Sequence, residues 1–182
     1  MSRPVRRAPV EVDKNERYTL PETDALCRKL AGVPRWSLDV AACRESHLAP
    51  RYYTRDDDGL ARSWASRFVW CNPPWETLEP WAIKAWVEMA RLRSVEVIAM
   101  LLPAVRTEQP WWAKWVEPFR DGRRVHQQWP PLVPELAHRL RGAALETHFI
   151  EARLRFGHPG NAAADDVGSP PFGCVLLVWR RA

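Results

Sequence analysis

Lysine, cysteine and long apolar runs are all in short supply in this chain, and each shortage narrows what it can be. The four cysteines, Cys27, Cys43, Cys71 and Cys174, are widely spread and form no C-x-x-C pair. In a chain of 182 residues that argues against a disulfide framework and reads as free thiols in a reducing cytoplasm. The five histidines show neither H-x3-H nor H-E-x-x-H spacing, so no metal site is expected. The longest unbroken apolar run is Val97–Val105, far short of the ~20 residues a membrane span needs, and no membrane partner is expected. Met1 to Val10 is basic and leads into no apolar signal core, so no secretory peptide is read. Hydrophobic residues at 46% and charged residues at 27% exclude a largely disordered chain.

What is abundant is arginine and tryptophan. Of 27 basic residues, 23 are arginine and 4 are lysine; the net charge is +5 and the chain holds 11 tryptophans. Arginine forks onto phosphates and stacks on bases, which favours a nucleic-acid partner. GC-rich coding, which enriches Arg, Ala, Pro and Trp together, accounts for the same composition. The length suits one domain. Residues 1–16, with Arg3, Arg6, Arg7 and no apolar periodicity, read as a flexible basic arm, or more simply a solvated terminus. Residues 17–182 read as the domain.

Strand and helix signals alternate along that domain. Pro21 to Leu30 reads as a helix, with Pro21 in its first turn, Glu22 and Asp24 at its positive end and Gly32 at its stop. Trp36 to Ala42 reads as a short strand whose end carries Asp39. Asp56-Asp57-Asp58-Gly59 reads as a turn. Phe68 to Cys71 is a compact apolar strand, followed by helical spacing from Leu78 to Leu92 through Trp81, Ala85, Trp86 and Met89. Val95–Leu102 reads as a buried strand, and Trp111 to Phe119 and Pro134 to Arg141 as short helices. Phe149–Phe156 and Cys174–Trp179 read as strands, separated by a Gly/Ala/Pro loop. The alternation predicts an α/β fold with a mainly parallel sheet.

Asn72-Pro73-Pro74-Trp75, directly after a buried strand, is the segment that carries chemistry. Methylating an exocyclic amine requires its nitrogen, whose lone pair is delocalised into an aromatic ring, to be reshaped toward sp³ and aimed at an electrophilic methyl. Two hydrogen-bond acceptors converging on the NH₂ do this without prior deprotonation. Asn72 offers a side-chain carbonyl. Pro73 offers a backbone carbonyl, and Pro74 after it keeps that carbonyl in a fixed direction. Trp75 offers a flat face on which an extruded base can stack. The plainer alternative is a proline-rich strand exit with a packed tryptophan.

Ordered blocks surround this motif. They are Leu38-Asp39-Val40-Ala41-Ala42, Arg51-Tyr52-Tyr53-Thr54 with Asp57-Asp58-Gly59-Leu60, and Trp70 to Trp75. Met100-Leu101-Leu102-Pro103-Ala104 with Arg106-Thr107, Arg153 to Gly157, and Pro171-Phe172 follow. With these blocks the chain resembles the phage-type DNA N6-adenine methyltransferase family over roughly residues 17–119 and 148–179. The resemblance implies a Rossmann-like, S-adenosylmethionine-dependent fold with cofactor and base meeting at the carboxyl ends of the strands. It implies Asn72, Pro73, Pro74 and Trp75 as the catalytic block. It implies a cofactor site at Asp39, Ala41 and Thr19, the last in the sequence Thr19-Leu20-Pro21. Asp58 or its neighbour Asp57 would lie near the cofactor's adenine and ribose; adjacent acids cannot be ranked from sequence. The first loop, Val40-Ala41-Ala42-Cys43, is not glycine-rich, and the aromatic after the prolines is Trp where the family usually has Tyr.

Residues 120–147 look like an insertion relative to that pattern. They carry Arg120, Arg123, Arg124, Gln127, Gln128, Arg139 and Arg141, residue types that contact phosphates and base edges, and are read as contributing to target recognition. A solvated surface helix with its loop is the alternative. Arg106 and the Trp111-Trp112 pair follow a strand end and are candidates for the base pocket, with core packing the competing reading for the tryptophans. The expected function is direct, in-line methyl transfer, without metal or covalent intermediate, from S-adenosylmethionine to N6 of an adenine flipped from double-stranded DNA. An RNA adenine or protein glutamine methyltransferase, or a non-catalytic DNA-binding relative, are the alternatives.

Overall fold

Continuous apolar strands form where both faces of a sheet are covered, because successive side chains point to opposite sides. The computed structural model of the chain, which describes residues 18–122, 132, 134–140, 142–157 and 170–181, shows this at its centre. Strand β4 (Val97–Pro103) is buried along its whole length. Ile98, Met100 and Leu102 face one layer; Val97, Ala99 and Leu101 face the other. The antiparallel neighbour β7 (Cys174–Arg181) divides the same way, with Val175, Leu177 and Trp179 on the first side and Cys174, Leu176 and Val178 on the second.

The full sheet has five strands in the order β2 (Leu38–Asp39), β3 (Phe68–Cys71), β4, β7, β5 (Ala143–Phe149). One layer is covered by α2 (Leu78–Arg91), which buries Trp81, Ala85, Trp86 and Met89, and by α3 (Pro110–Trp115). The other is covered by α1 (Pro21–Ala31), which places Cys27 and Ala31 against Trp36, Trp70 and β4. Helix α1 ends where Gly32 turns left-handed at φ 62°, a conformation glycine adopts without a Cβ penalty. A short helix α4 (Pro134–Ala137) precedes β5. A separate two-stranded sheet pairs β1 (Tyr18–Thr19) with β6 (Phe156–Gly157). Among the described residues no helix is long and apolar enough to cross a membrane.

The fold is mixed α/β, as the alternating signals predict, but its sheet is not mainly parallel. The pairs β2–β3 and β3–β4 are parallel, whereas β4–β7 and β7–β5 are antiparallel and, at seven facing residues each, contain most of the pairing. The crossovers that return each strand in the same direction, through a long loop after β2 and through α2 after β3, stop at β4; β7 then enters beside it from the opposite end. A second difference lies at Phe149–Phe156, read from sequence as a strand. The strand there is β5, ending at Phe149; Ile150 N–H donates to Cys174 O and the chain then bends out of the ladder until Phe156. Leu145 is the one β5 residue sealed in the core, so the strand lacks an apolar signature. The helix after Gln109 is also shorter than expected, spanning Pro110–Trp115.

Candidate active site

Three parallel strands deliver their chain ends to one edge of the sheet. The segments that follow β2, β3 and β4 all line a single cavity of about 520 Å³. Ligands in α/β sheets gather at this edge, because the loops there are released from the ladder while the strands below hold them still.

After β2 the chain is tied twice. Val40 N–H donates to Trp70 O on β3, and Ala42 N–H donates to Tyr53 O. Tyr53 N–H donates to Asp39 O, and Asp39 N–H to Arg51 O, so Arg51–Tyr53 lies along β2 and the two sequence blocks meet in space. Asp39 is 3% exposed and lines the cavity. Its carboxylate accepts from Leu48 N–H at 3.0 Å and Ala41 N–H at 3.3 Å. Burial pushes its pKa up to about 6, against those two donors, which favour the ionised form.

The neighbouring acids Asp57 and Asp58 separate clearly. Asp57 Oδ2 accepts from Thr54 N–H at 2.9 Å and Thr54 Oγ1 at 2.8 Å, closing a capping box around the turn Arg55–Asp57. Those two bonds hold its carboxyl below the usual range, and it does not line the cavity. Asp58 adopts the left-handed region at φ 55° and does line it. Gly59 follows for a steric reason: a Cβ there would sit 2.0 Å from the carbonyl oxygen of Val40. Only glycine lets this turn approach the loop after β2 so closely.

Asn72 to Trp75 leave β3 into the same cavity. Asn72 Nδ2 donates to Thr19 Oγ1 at 3.2 Å. The Trp75 ring meets Phe156 edge-on, with centroids 5.4 Å apart and planes at 86°, and Phe172 at 5.6 Å. After β4, Arg106 lines the cavity, and its Nε is buried with no hydrogen-bond acceptor among the described residues. A second such donor, Trp179 Nε1, belongs to the core and does not line this cavity.

Thr19, Asp39, Ala41, Asp58, Asn72, Pro73, Pro74, Trp75 and Arg106 are therefore brought together around one space. Asp57 stands just outside it as a turn-former. Trp111 does not line the cavity: it is buried in the α3 layer, its Nε1–H donating to Gln109 Oε1 at 2.9 Å. Arg123, Arg124, Gln127, Gln128 and Arg141, and the arm at residues 1–16, lie outside the described residues. Sequence reasoning missed Tyr18, Thr54 and Arg55 as lining residues and saw Trp81 as core alone. The spacing of Thr54 and Asp57 is a capping-box signature that marks the first turn of a helix and would have separated the two acids.

No curated protein matches the chain significantly. A family model does match, over residues 14–126, which is more than half of the chain and spans every block from Thr19 to Arg106. With that match the chain belongs to the DNA N-6-adenine-methyltransferase (Dam) family.

Proposed function

We propose that this chain methylates adenine N6 in DNA, using S-adenosylmethionine and a base flipped out of the helix. The observation that carries the reading is the convergence of Asn72, Pro73 and Trp75 with Asp39 and Asp58 on one cavity at the ends of parallel strands, in a chain of this family.

The residues of the cavity suit the cofactor. Two carboxylates, Asp39 and Asp58, stand beside apolar surface from Val40, Leu48 and Trp81. That combination fits a ligand with a cationic amino group, a ribose diol and a flat purine. Asp39, Ala41, Thr19 and Asp58 would hold it, as in a Rossmann-like methyltransferase. S-adenosylmethionine, when bound, supplies an electrophilic methyl on a sulfonium centre. Asn72 Oδ1 and the Pro73 carbonyl would accept from the target amino group, drawing its nitrogen toward sp³ as its acidity rises. Trp75, braced by Phe156 and Phe172, would stack on the extruded base. Arg106 presents a buried N–H with no described protein acceptor, and leaving such a donor unmet costs on the order of 1–3 kcal/mol. A base edge or phosphate of the substrate would satisfy it. Arg123 and Arg124 complete the proposed DNA contacts on sequence grounds.

Labelled S-adenosylmethionine offered separately with DNA, RNA and protein extract tests the reading. Label should enter DNA and survive in N6-methyladenine after digestion. Label in RNA or protein alone would overturn the choice of substrate. Absence of cofactor binding by calorimetry would favour a non-catalytic DNA-binding protein.

A further inference from the structure

The two-stranded sheet β1–β6 is small and separate from the five-stranded sheet, with Phe156 anchoring it in the core layer beneath α1. Its two strands come from opposite ends of the domain and approach closely. A Cβ on Gly157 would lie 3.2 Å from the Cβ of its partner Tyr18. The facing pair at its other position is Thr19 and Phe156. Thr19 Oγ1 accepts the hydrogen bond from Asn72 Nδ2 at 3.2 Å. Phe156, fully buried, sets its ring edge-on to Trp75 at 5.4 Å. One cross-strand pair therefore touches both the first and the last residue of the Asn72–Trp75 motif.

An asparagine amide sits on a soft, roughly two-fold torsion. Turned one way it presents an acceptor to an amino group; turned the other way it presents a donor and repels it. A hydroxyl can accept from Nδ2 or donate to Oδ1; here it accepts, which turns Oδ1 away from Thr19. We propose that Thr19 is a positioning residue for Asn72: its hydroxyl oxygen holds the amide in the orientation that gives Oδ1 to the target amine, while Phe156 on the facing strand holds Trp75. The β1–β6 sheet is then a clamp on the reactive motif, and Thr19 acts through Asn72 as well as forming part of the cavity wall. This rests on the catalytic role proposed for Asn72.

Thr19→Val keeps the β-branched shape a strand accepts and removes the oxygen that receives Nδ2–H. Small losses of alignment in a reacting pair lower rates by up to ~100-fold, so kcat should fall about 10–100-fold. The KM for DNA should stay within about twofold, and kcat is read at saturating cofactor because Thr19 also lines the cofactor cavity. Thr19→Ser, which restores the oxygen, should recover kcat to within about threefold of the parent protein. In a chain already carrying Asn72→Ala, Thr19→Val should have no further effect on kcat, since coupled residues are non-additive. Wild-type kcat in Thr19→Val, with Asn72→Ala strongly impaired, would overturn the clamp and leave the proposed reaction standing. So would a weakened cofactor Kd with kcat intact at saturation. An active Asn72→Ala would overturn both. Should Thr19→Val fail to fold by circular dichroism, Thr19→Ala against Thr19→Ser gives the same comparison without the added methyl.

Discussion

Along β2, β3 and β4 the strands run parallel, and each leads at the same edge into residues that line the cavity: Asp39 to Cys43, Asn72 to Trp75, and Arg106. From β4 through β7 to β5 the strands run antiparallel, and the residues they bring are Leu145, Val175, Leu177 and Trp179, sealed against α2 and α3. Strand β7, being reversed, offers the site its beginning: Phe172 lies just before it and reaches Trp75. Parallel pairing requires every connection to cross back over the sheet, so strand ends accumulate on one edge. Antiparallel pairing spreads its turns over both edges and is free to maximise burial. The first half of the sheet therefore holds most of the site, and the second half holds much of the core.

If that division is right, substitutions in the two halves should fail in opposite ways. Asn72→Ala should lower methyl transfer by about 10²–10³-fold, as removal of a transition-state hydrogen-bond partner does. Asn72 is half-buried and lies past the strand, so the thermal midpoint should hardly move. Trp179→Ala, in the antiparallel half, should cost on the order of 3–5 kcal/mol of stability, because it empties a fully buried indole volume against Trp86. Denaturant unfolding measures the second and labelled-methyl transfer the first. A Trp179→Ala protein of undiminished stability, or an Asn72→Ala protein that unfolds, would break the comparison.

Asp39 sharpens it, because it is a buried carboxyl that lines the cavity in the parallel half. Its carboxyl has its pKa raised by burial from 3.8 to about 6. The sign follows from linkage: folding favours the protonated form, so the stabilisation is complete below about pH 4 and is lost as pH rises through about 6. The difference is on the order of 3 kcal/mol, taking 1.36 kcal/mol for each unit. The site thus has a carboxylate ready for a cationic or hydroxyl-bearing ligand at neutral pH, at a cost to the fold. Cofactor affinity measured by calorimetry should fall as pH drops below about 6 and be level above it. Asp39→Asn should weaken the cofactor about 10–100-fold at pH 7.5, as loss of a hydrogen bond to a charged group does. It should also flatten the pH 4–6 slope in denaturant stability. An affinity that stays constant from pH 5 to pH 7.5 would remove Asp39 from the site.

Much of this half of the molecule is legible in the sequence, and the reason is physical. Phe68 to Cys71 and Val95 to Leu102 are short apolar stretches with proline close behind; β3 spans the first, and β4 starts two residues later than the second and ends one residue later. Pro21 and Gly32 bracket α1 for the same local reason. The antiparallel half is less legible. β5 buries one leucine on an edge strand and is covered there by Arg120 and Asp121, whose carboxylate accepts from Thr147 N–H and Oγ1. Such a strand is held by its neighbours and carries no periodicity of its own. Residues that line the cavity were readable where a motif fixes them, as at Asn72–Trp75 and Asp39. They were not readable where a long-range contact makes the choice. Thr19 is named from sequence for the cavity it lines, but its bond to Asn72 is not foreseen, and nothing near Trp111 in sequence says that its indole turns into the α3 layer.

The smallest predicted difference lies between two adjacent acids. Asp57 spends both its local bonds on Thr54, and Asp58 lines the cavity. Asp58→Asn should therefore weaken the cofactor about tenfold, the lower end for a charged hydrogen bond because the side chain is exposed to solvent. Its effect should shrink in high salt, as screening of an exposed charge requires. Asp57→Ala should leave cofactor affinity within about twofold and slightly lower the thermal midpoint, because it opens the capping box that shapes the turn. The turn matters to the cavity only through Asp58 and Gly59, which follow it directly. If Asp57→Ala weakened the cofactor as much as Asp58→Asn, with no change in midpoint, the roles of the two acids would be exchanged. Gly59 would still have to be glycine, since the space against Val40 is closed to any Cβ.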